Sequence, residues 1–153
     1  MELIETLRKV VNVPRHREIA CAILIDVHGR FLLQRRDSVP GILYPGKIGL
    51  FGGHRKGDET FLGCVVREVH EETGYFALPE RFEHLWSYAG NDYGVNGGTL
   101  SGQYYVLRDV PVDTLAVTEG CLFIAERKDL PSLARQLAPS AMAAFNMLFS
   151  KGS

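Results

Sequence analysis

Apolar and polar residues along the chain alternate in two distinct periods. Residues 18–27 (EIACAILIDV) and 30–35 (RFLLQR) are short apolar runs of strand length, and His28-Gly29 between them supplies hairpin turn chemistry. Residues 37–47 hold Pro40, Gly41, Pro45 and Gly46 and read as a loop. Residues 48–51 read as a short buried strand that Gly52-Gly53 should break. From 60 to 73 the period changes to that of a helix, with Leu62, Val65, Val66 and Val69 on one face. Asp58 or Thr60 is placed to cap its start and Gly74 to end it. Strands follow at 83–89 (EHLWSYA) and 102–108 (GQYYVLR), around a turn-rich stretch at 90–101, with another at 120–125. A short helix at 130–136 has Pro131 in its first turn, and a last helix spans 140–149 with Ser140 as its cap. An amphipathic helix is also expected at 2–11, ended by Pro14. Strands and helices in this irregular order predict an α/β (α+β) fold, an α/β/α sandwich around a mixed sheet, built as one domain over 1–153.

Composition narrows the function classes. The formal net charge is -1, so no global field holds nucleic acid or an anionic membrane, and neither is an expected partner. Three cysteines, Cys21, Cys64 and Cys121, form no CxxC pair, which disfavours a disulfide framework or a zinc site and fits a reducing compartment. The first residues, MELIETLRKVV, carry acids early and lack the apolar run of a signal peptide; the expectation is a cytoplasmic protein.

The charge that needs explaining lies on the helix at 60–73. At about 100° per residue, Glu68, Glu71 and Glu72 share one face beside the apolar one, whereas Arg67 and His70 point elsewhere on the wheel. Like charges at this spacing repel. A solvated face is the ordinary explanation of such a cluster, but a hard divalent cation, which takes oxygen ligands and substrate phosphate, is the alternative.

The wider spacing decides between them. Gly53-x5-Glu59-x7-Arg67-Glu68-Val69-x-Glu71-Glu72-x-Gly74-Tyr75 resembles the signature of the Nudix hydrolases at all nine positions. Seven of these are fixed residue types at roughly 7% abundance, so a chance match is on the order of 10⁻⁸ per start point. The order of strands and helices is similar to the Nudix fold over most of the chain.

The resemblance implies hydrolysis of a diphosphate bond in a nucleoside diphosphate linked to another group, assisted by Mg²⁺ or sometimes Mn²⁺. It implies Glu68 and Glu72 as metal ligands, Glu71 as a ligand or holder of a metal-bound water, and the Gly52 carbonyl as a further ligand. Glu59 is implied near the substrate or behind the ligands, and Arg67 as the residue that orients a carboxylate. The general base is Glu68 or an acid from another loop, for which Glu119 stands next. Arg36, at the end of the second strand, is a candidate for the diphosphate. Arg35 beside it faces the other way, and Arg15, Arg17, Lys47, Arg55 and Lys56 are weaker candidates. Trp86, Tyr44, Tyr88 and Phe51 are candidates to stack a nucleobase, and His54 and His70 have no assignable role.

Subclass markers are absent. Position 90 is glycine rather than proline, Tyr93 is one residue off a tyrosine marker, and Phe51 stands where many members have proline. A nucleoside triphosphate or a nucleotide sugar is the substrate left most open. A nucleotide-binding module without catalysis is the competing class, but such modules commonly lose the acids kept here. Family members are often homodimers, though nothing in this sequence identifies an interface.

Overall fold

The computed structural model describes residues 15–152. The expected helix at 2–11 lies outside them. Seven strands form one mixed sheet, β1 (His16–Asp26), β2 (Phe31–Arg35), β3 (Ile48–Gly49), β4 (Phe51–His54), β5 (Phe82–Asn91), β6 (Thr99–Val110) and β7 (Cys121–Ala125). Helix α1 (Phe61–Thr73) covers one face and α3 (Pro139–Ser150) the other, with a single helical turn α2 (Leu130–Leu133) between β7 and α3.

β1 is central and buried on both faces, which is why it reads as a nearly unbroken apolar run. Its odd residues, Ile19, Cys21, Ile23 and Ile25, join the core beneath α3. The even ones, Ala20, Ala22 and Leu24, join the core beneath α1. β6 pairs with β1 in parallel, from His16 opposite Thr99 to Leu24 opposite Leu107, and the other ladders are antiparallel.

The other edge of β1 is shared. β1 and β2 pair close to their turn, at Leu24–Leu32 and Ile25–Phe31, and then diverge. The segment 48–54 enters the gap, with β3 along β2 and β4 along β1. The single strand expected at 48–51 is therefore two, kinked at Leu50. Gly52 and Gly53 continue β4 instead of breaking it. The reason is crowding: a Cβ on Gly52, at φ +151°, would lie 2.3 Å from the Ala20 carbonyl oxygen.

Three other expectations change. β5 and β6 run on to Asn91 and from Thr99, so the turn shrinks to 92–98. The backbone ladder needs no side chain and continues through Gly90. The helix at 130–136 keeps α-geometry only over Leu130–Leu133, with 3₁₀ turns on both sides. Ser140 is not the cap of α3: extended Ala138 precedes Pro139, whose missing N–H costs nothing in the first turn. Ala141, Ala144, Phe145 and Leu148 then face the sheet, with Phe145 edge-on to Phe31 at 5.0 Å between centroids.

Candidate active site

Helix α1 starts where Thr60 accepts a hydrogen bond from the Gly63 N–H (2.9 Å) and stops at Gly74, whose φ is +76°. Val65 and Val69 are fully buried against β1 and β4, which fixes the rotation of the helix. That rotation carries Glu68 and Glu72 to the edge of a cleft of about 460 Å³, lined also by Arg17, Arg36, Tyr44 and Glu119.

Glu72 is only 8% exposed. Its Oε1 accepts the Gly52 N–H at 2.8 Å, and Oε2 lies 3.5 Å from Gln34 Nε2. Burial, with the charges of Glu68 and Glu119, pushes this carboxyl up to about 8 despite the Gly52 bond. Glu68 lies over Gly53, where a Cβ would fall 2.6 Å from its Cδ. The bare glycine is the space the carboxylate occupies. Glu119, on the loop before β7, lines the same cleft. Gln34 donates to the Glu119 carbonyl at 2.8 Å, and the Thr118 N–H to the Glu72 carbonyl at 3.2 Å, so this loop is sewn to the end of α1.

Arg67 resolves the repulsion seen in the sequence. Its Nε and Nη2 each meet a Glu59 oxygen at 2.8 Å, and its Nη1 reaches Glu68 at 2.7 Å and Glu71 at 3.2 Å. Nη2 also donates to the His54 carbonyl at 3.1 Å. One guanidinium thus serves three carboxylates. The wheel placed Arg67 away from them because it gives the direction of Cβ and not the reach of a long side chain. The Arg67 pair holds the Glu59 carboxyl down at about 2, and the carboxylates push the guanidinium up.

One expected placement is corrected, that of Glu71, and that of Glu59 is narrowed to the place behind the ligands. Glu71 is on the solvent side, its side chain 53% exposed, and does not line the cleft. Glu59 does not line it either: both oxygens are taken by Arg67, and Oε1 also by the Lys56 N–H at 3.0 Å. Of the aromatic candidates, Tyr44 lines the cleft. Phe51 is fully buried beneath α1, and Trp86 and Tyr88 pack on Tyr104 and Tyr93 away from it. Tyr93 itself lies on the rim.

Arg36 lines the cleft; its Nε donates to the Leu43 carbonyl at 2.7 Å, and its terminal nitrogens make no hydrogen bond among the described residues. Arg35 faces away, over the Phe123 ring. Arg15 and Lys47 hold the Gly97 and Arg135 carbonyls, and Arg55 pairs with Glu18. Lys56 lines the cleft. His54 lines it too, and burial followed by the Arg17 charge lowers its ring. His70 packs against the exposed Phe76 ring.

Reading residues one by one missed Gln34 and Asp92 and held Arg17 only as a weaker phosphate candidate. Gln34 had a signal, a lone amide inside an apolar strand. The pairing of Arg17 with Asp92, 75 positions apart, had none.

The donor set fits a hard cation in part. Among the described residues, no three acidic, histidine or cysteine side chains form a ready-made cage. Glu68 and Glu72, with Glu119 lining the same cleft, still match Mg²⁺, which takes one or two carboxylates and completes its shell with water and phosphate. No helix among the described residues is long and apolar enough to cross a membrane.

Comparison with known proteins agrees. The model of the NUDIX domain matches residues 14–123. An isopentenyl-diphosphate Delta-isomerase from Cutibacterium acnes is 33% identical over 87 residues, 54% of this chain and only 43% of that enzyme. The fold matches a MutT NUDIX hydrolase from Burkholderia pseudomallei with a TM-score of 0.69 at 24% identity, over 86% of this chain and 97% of that one. A MutT protein from Methanosarcina mazei Go1 gives 0.74 at 18%, over 90% and 96%. A bifunctional NMN adenylyltransferase/ADP ribose pyrophosphatase from Francisella tularensis, complexed with AMP and a Mn ion, gives 0.71 at 16%, over 99% of this chain and 47% of that one. A domain match over most of the sequence, with Glu68 and Glu72 of its signature brought to one cleft, means that the chain belongs to the NUDIX domain family.

Proposed function

We propose that this cleft hydrolyses the diphosphate bond of a nucleoside diphosphate derivative, with Mg²⁺ or Mn²⁺ as cofactor and a nucleoside triphosphate or nucleotide sugar as the substrate class. The observation that carries this is that Glu68, Glu72 and Glu119 all line one cleft of about 460 Å³, with Glu119 near enough to Glu72 to raise its carboxyl. Glu68 and Glu72 would hold the cation, with the Gly52 carbonyl as a further donor. A divalent cation there supplies the positive charge that a diphosphate and an attacking oxygen both need.

The residues of the chain do the rest. The Gly52 N–H fixes one oxygen of Glu72, and the other has only the long Gln34 contact at 3.5 Å. Arg67 orients Glu68 and ties it to Glu59, and Glu71 supports that network from the solvent side. Arg36 offers to a phosphate two terminal nitrogens that have no hydrogen bond among the described residues. Water attacks phosphorus, its proton passes to Glu68 or Glu119, and the anhydride P–O bond breaks to release a phosphate-bearing group. Positioning and charge supply most of the rate.

The isomerase likeness favours a second reading, in which the same end of the cleft holds the diphosphate of an isoprenoid ester without cleaving it. The test is product release with Mg²⁺ and then Mn²⁺ from nucleoside triphosphates, nucleotide sugars, ADP-ribose and isopentenyl diphosphate, with Glu72→Gln as the control. Cleavage of a nucleotide, lost in the variant, supports hydrolysis. Rearrangement of isopentenyl diphosphate with no nucleotide cleavage sinks it. Binding without turnover of any member moves the chain to the silent-module class.

A further inference from the structure

The cleft continues beyond the carboxylates along one face of β1. Cys21, opposite Gly52, is followed on that face by Ile19 and Arg17. At about 3.3 Å per residue the four-residue step from Cys21 to Arg17 is roughly 13 Å, the length scale of a nucleotide from phosphates to base. Tyr44, Tyr93, Leu43 and Leu100 line the same cleft, so it carries apolar and aromatic wall as well as charge.

Two polar groups of this cleft keep hydrogen-bonding capacity that the fold leaves over. Arg17 is 7% exposed and its guanidinium is gripped from one side, Nε and Nη2 donating to the two oxygens of Asp92 at 2.6 and 2.7 Å. Nη1 makes no hydrogen bond among the described residues. The buried Tyr44 hydroxyl has no partner either, and it lies near enough to Arg17 to feel its charge. Asp92 is held in turn by the Gly94 N–H at 2.8 Å, so the guanidinium cannot swing.

Charge selects the ligand class. The Arg17–Asp92 pair is neutral as a unit, and its carboxylate repels phosphate, which Arg36 and Lys56 suit better. A neutral planar group with a polar edge fits instead. With one side taken by Asp92, the remaining edge of Arg17 presents two parallel N–H donors, one from Nη1 and one from Nη2. Their complement is a pair of adjacent acceptors. The O6 and N7 atoms of a 6-oxopurine form such a pair, whereas adenine sets an amino donor beside N7. We infer that Arg17, clamped by Asp92, is a specificity-determining residue that selects a 6-oxopurine base, guanine or hypoxanthine. This rests on the reaction proposed above for the same cleft and narrows its substrate to nucleotides of that base.

Binding and turnover are measured separately. Titration of the wild-type protein with GMP, IMP, AMP and 7-deaza-GMP, with Mg²⁺ present, should show GMP and IMP bound tenfold or more tighter than AMP. Loss of N7 should bring 7-deaza-GMP toward AMP. The ratio of kcat/KM for GTP over ATP should follow. Arg17→Lys keeps the charge and loses the paired donors, and Arg17→Met with Asp92→Leu removes the ion pair without stranding a buried charge. Both should level the ratio. Equal binding of GMP and AMP, or a preference that survives both variants, overturns the inference. Base-blind hydrolysis sinks it and leaves the reaction standing; selective GMP binding with no turnover does the reverse. Should neither variant fold, the 7-deaza comparison on the wild type still decides.

Discussion

Replacing Gly53 by alanine should inactivate the protein while leaving it folded. The added Cβ would lie 2.6 Å from Glu68 Cδ and 2.7 and 2.8 Å from its two oxygens. Ordinary van der Waals contact begins near 3.5 Å, so the carboxylate must retreat by about 1 Å. Its route is constrained, because Arg67 holds one oxygen at 2.7 Å and moving away weakens a charge-assisted bond of about 1.5–3 kcal/mol. The fold is affected less, since the obstacle is the far end of a flexible side chain and Gly53, unlike Gly52, does not need a positive φ. A loss of about 1–2 kcal/mol lowers Tm by roughly 2–8 °C in a chain of this size. Misplacing a reacting group by about 1 Å costs on the order of 10²-fold in rate. Gly52→Ala is the contrast: its Cβ meets backbone, the Ala20 oxygen at 2.3 Å and Cys21 Cα at 2.6 Å, at φ +151°. That substitution should cost stability first. The assay pairs kcat/KM on the best nucleotide with a thermal melt. Wild-type turnover in Gly53→Ala would refute the reasoning, as would a loss explained by the unfolded fraction.

Two further outcomes follow from the charges. Glu59 is held at about 2 by Arg67, so the unfolded chain binds the extra proton as pH falls from its ordinary value of 4.5, and stability should drop across that window. Arg67→Met should flatten this slope in urea midpoints measured from pH 6 to 3, and should lower kcat/KM at neutral pH; an unchanged slope counts against the pair. Glu72 is the opposite case: burial raises it to about 8, so the native state holds the proton and, with EDTA present, stability should fall as pH rises from 4.5 to 8. Glu72→Gln should remove that fall and with it most of the rise in Tm on adding Mg²⁺, both read by melts at pH 5 and 9.

The strands, α1 and α3 were legible because each buries a face with a simple period, and because Thr60 and Gly74 mark the ends of α1 chemically. Glu68 and Glu72 were legible through their spacing. Glu71 was grouped with them because a wheel fixes angles and not exposure, whereas Glu59, outside the helix, sits behind Glu68 through the Arg67 guanidinium. Phe51 and Trp86 were offered to a base because aromatic residues look alike in a strand until the sheet has two covered faces. Gly52 and Gly53 looked like a break because glycine usually interrupts strands; here β1 and Glu68 crowd them. Arg17 lies on β1 and Asp92 in the turn between β5 and β6, and only the parallel register of β1 with β6 brings their neighbourhoods together.

That parallel register also sets an order of events. His16 and Thr99 meet across 83 residues of chain, and the Arg17 end of the cleft, with Leu100 and Tyr93, is not assembled until this pairing forms. Local pieces, the β1–β2 hairpin and α1, need no such closure. Non-local pairing of this kind slows folding, so the cleft is among the last parts of the molecule to exist. A cation or nucleotide bound there acts on an assembled protein. It should lengthen the life of the native state by slowing unfolding, and leave the refolding rate almost untouched.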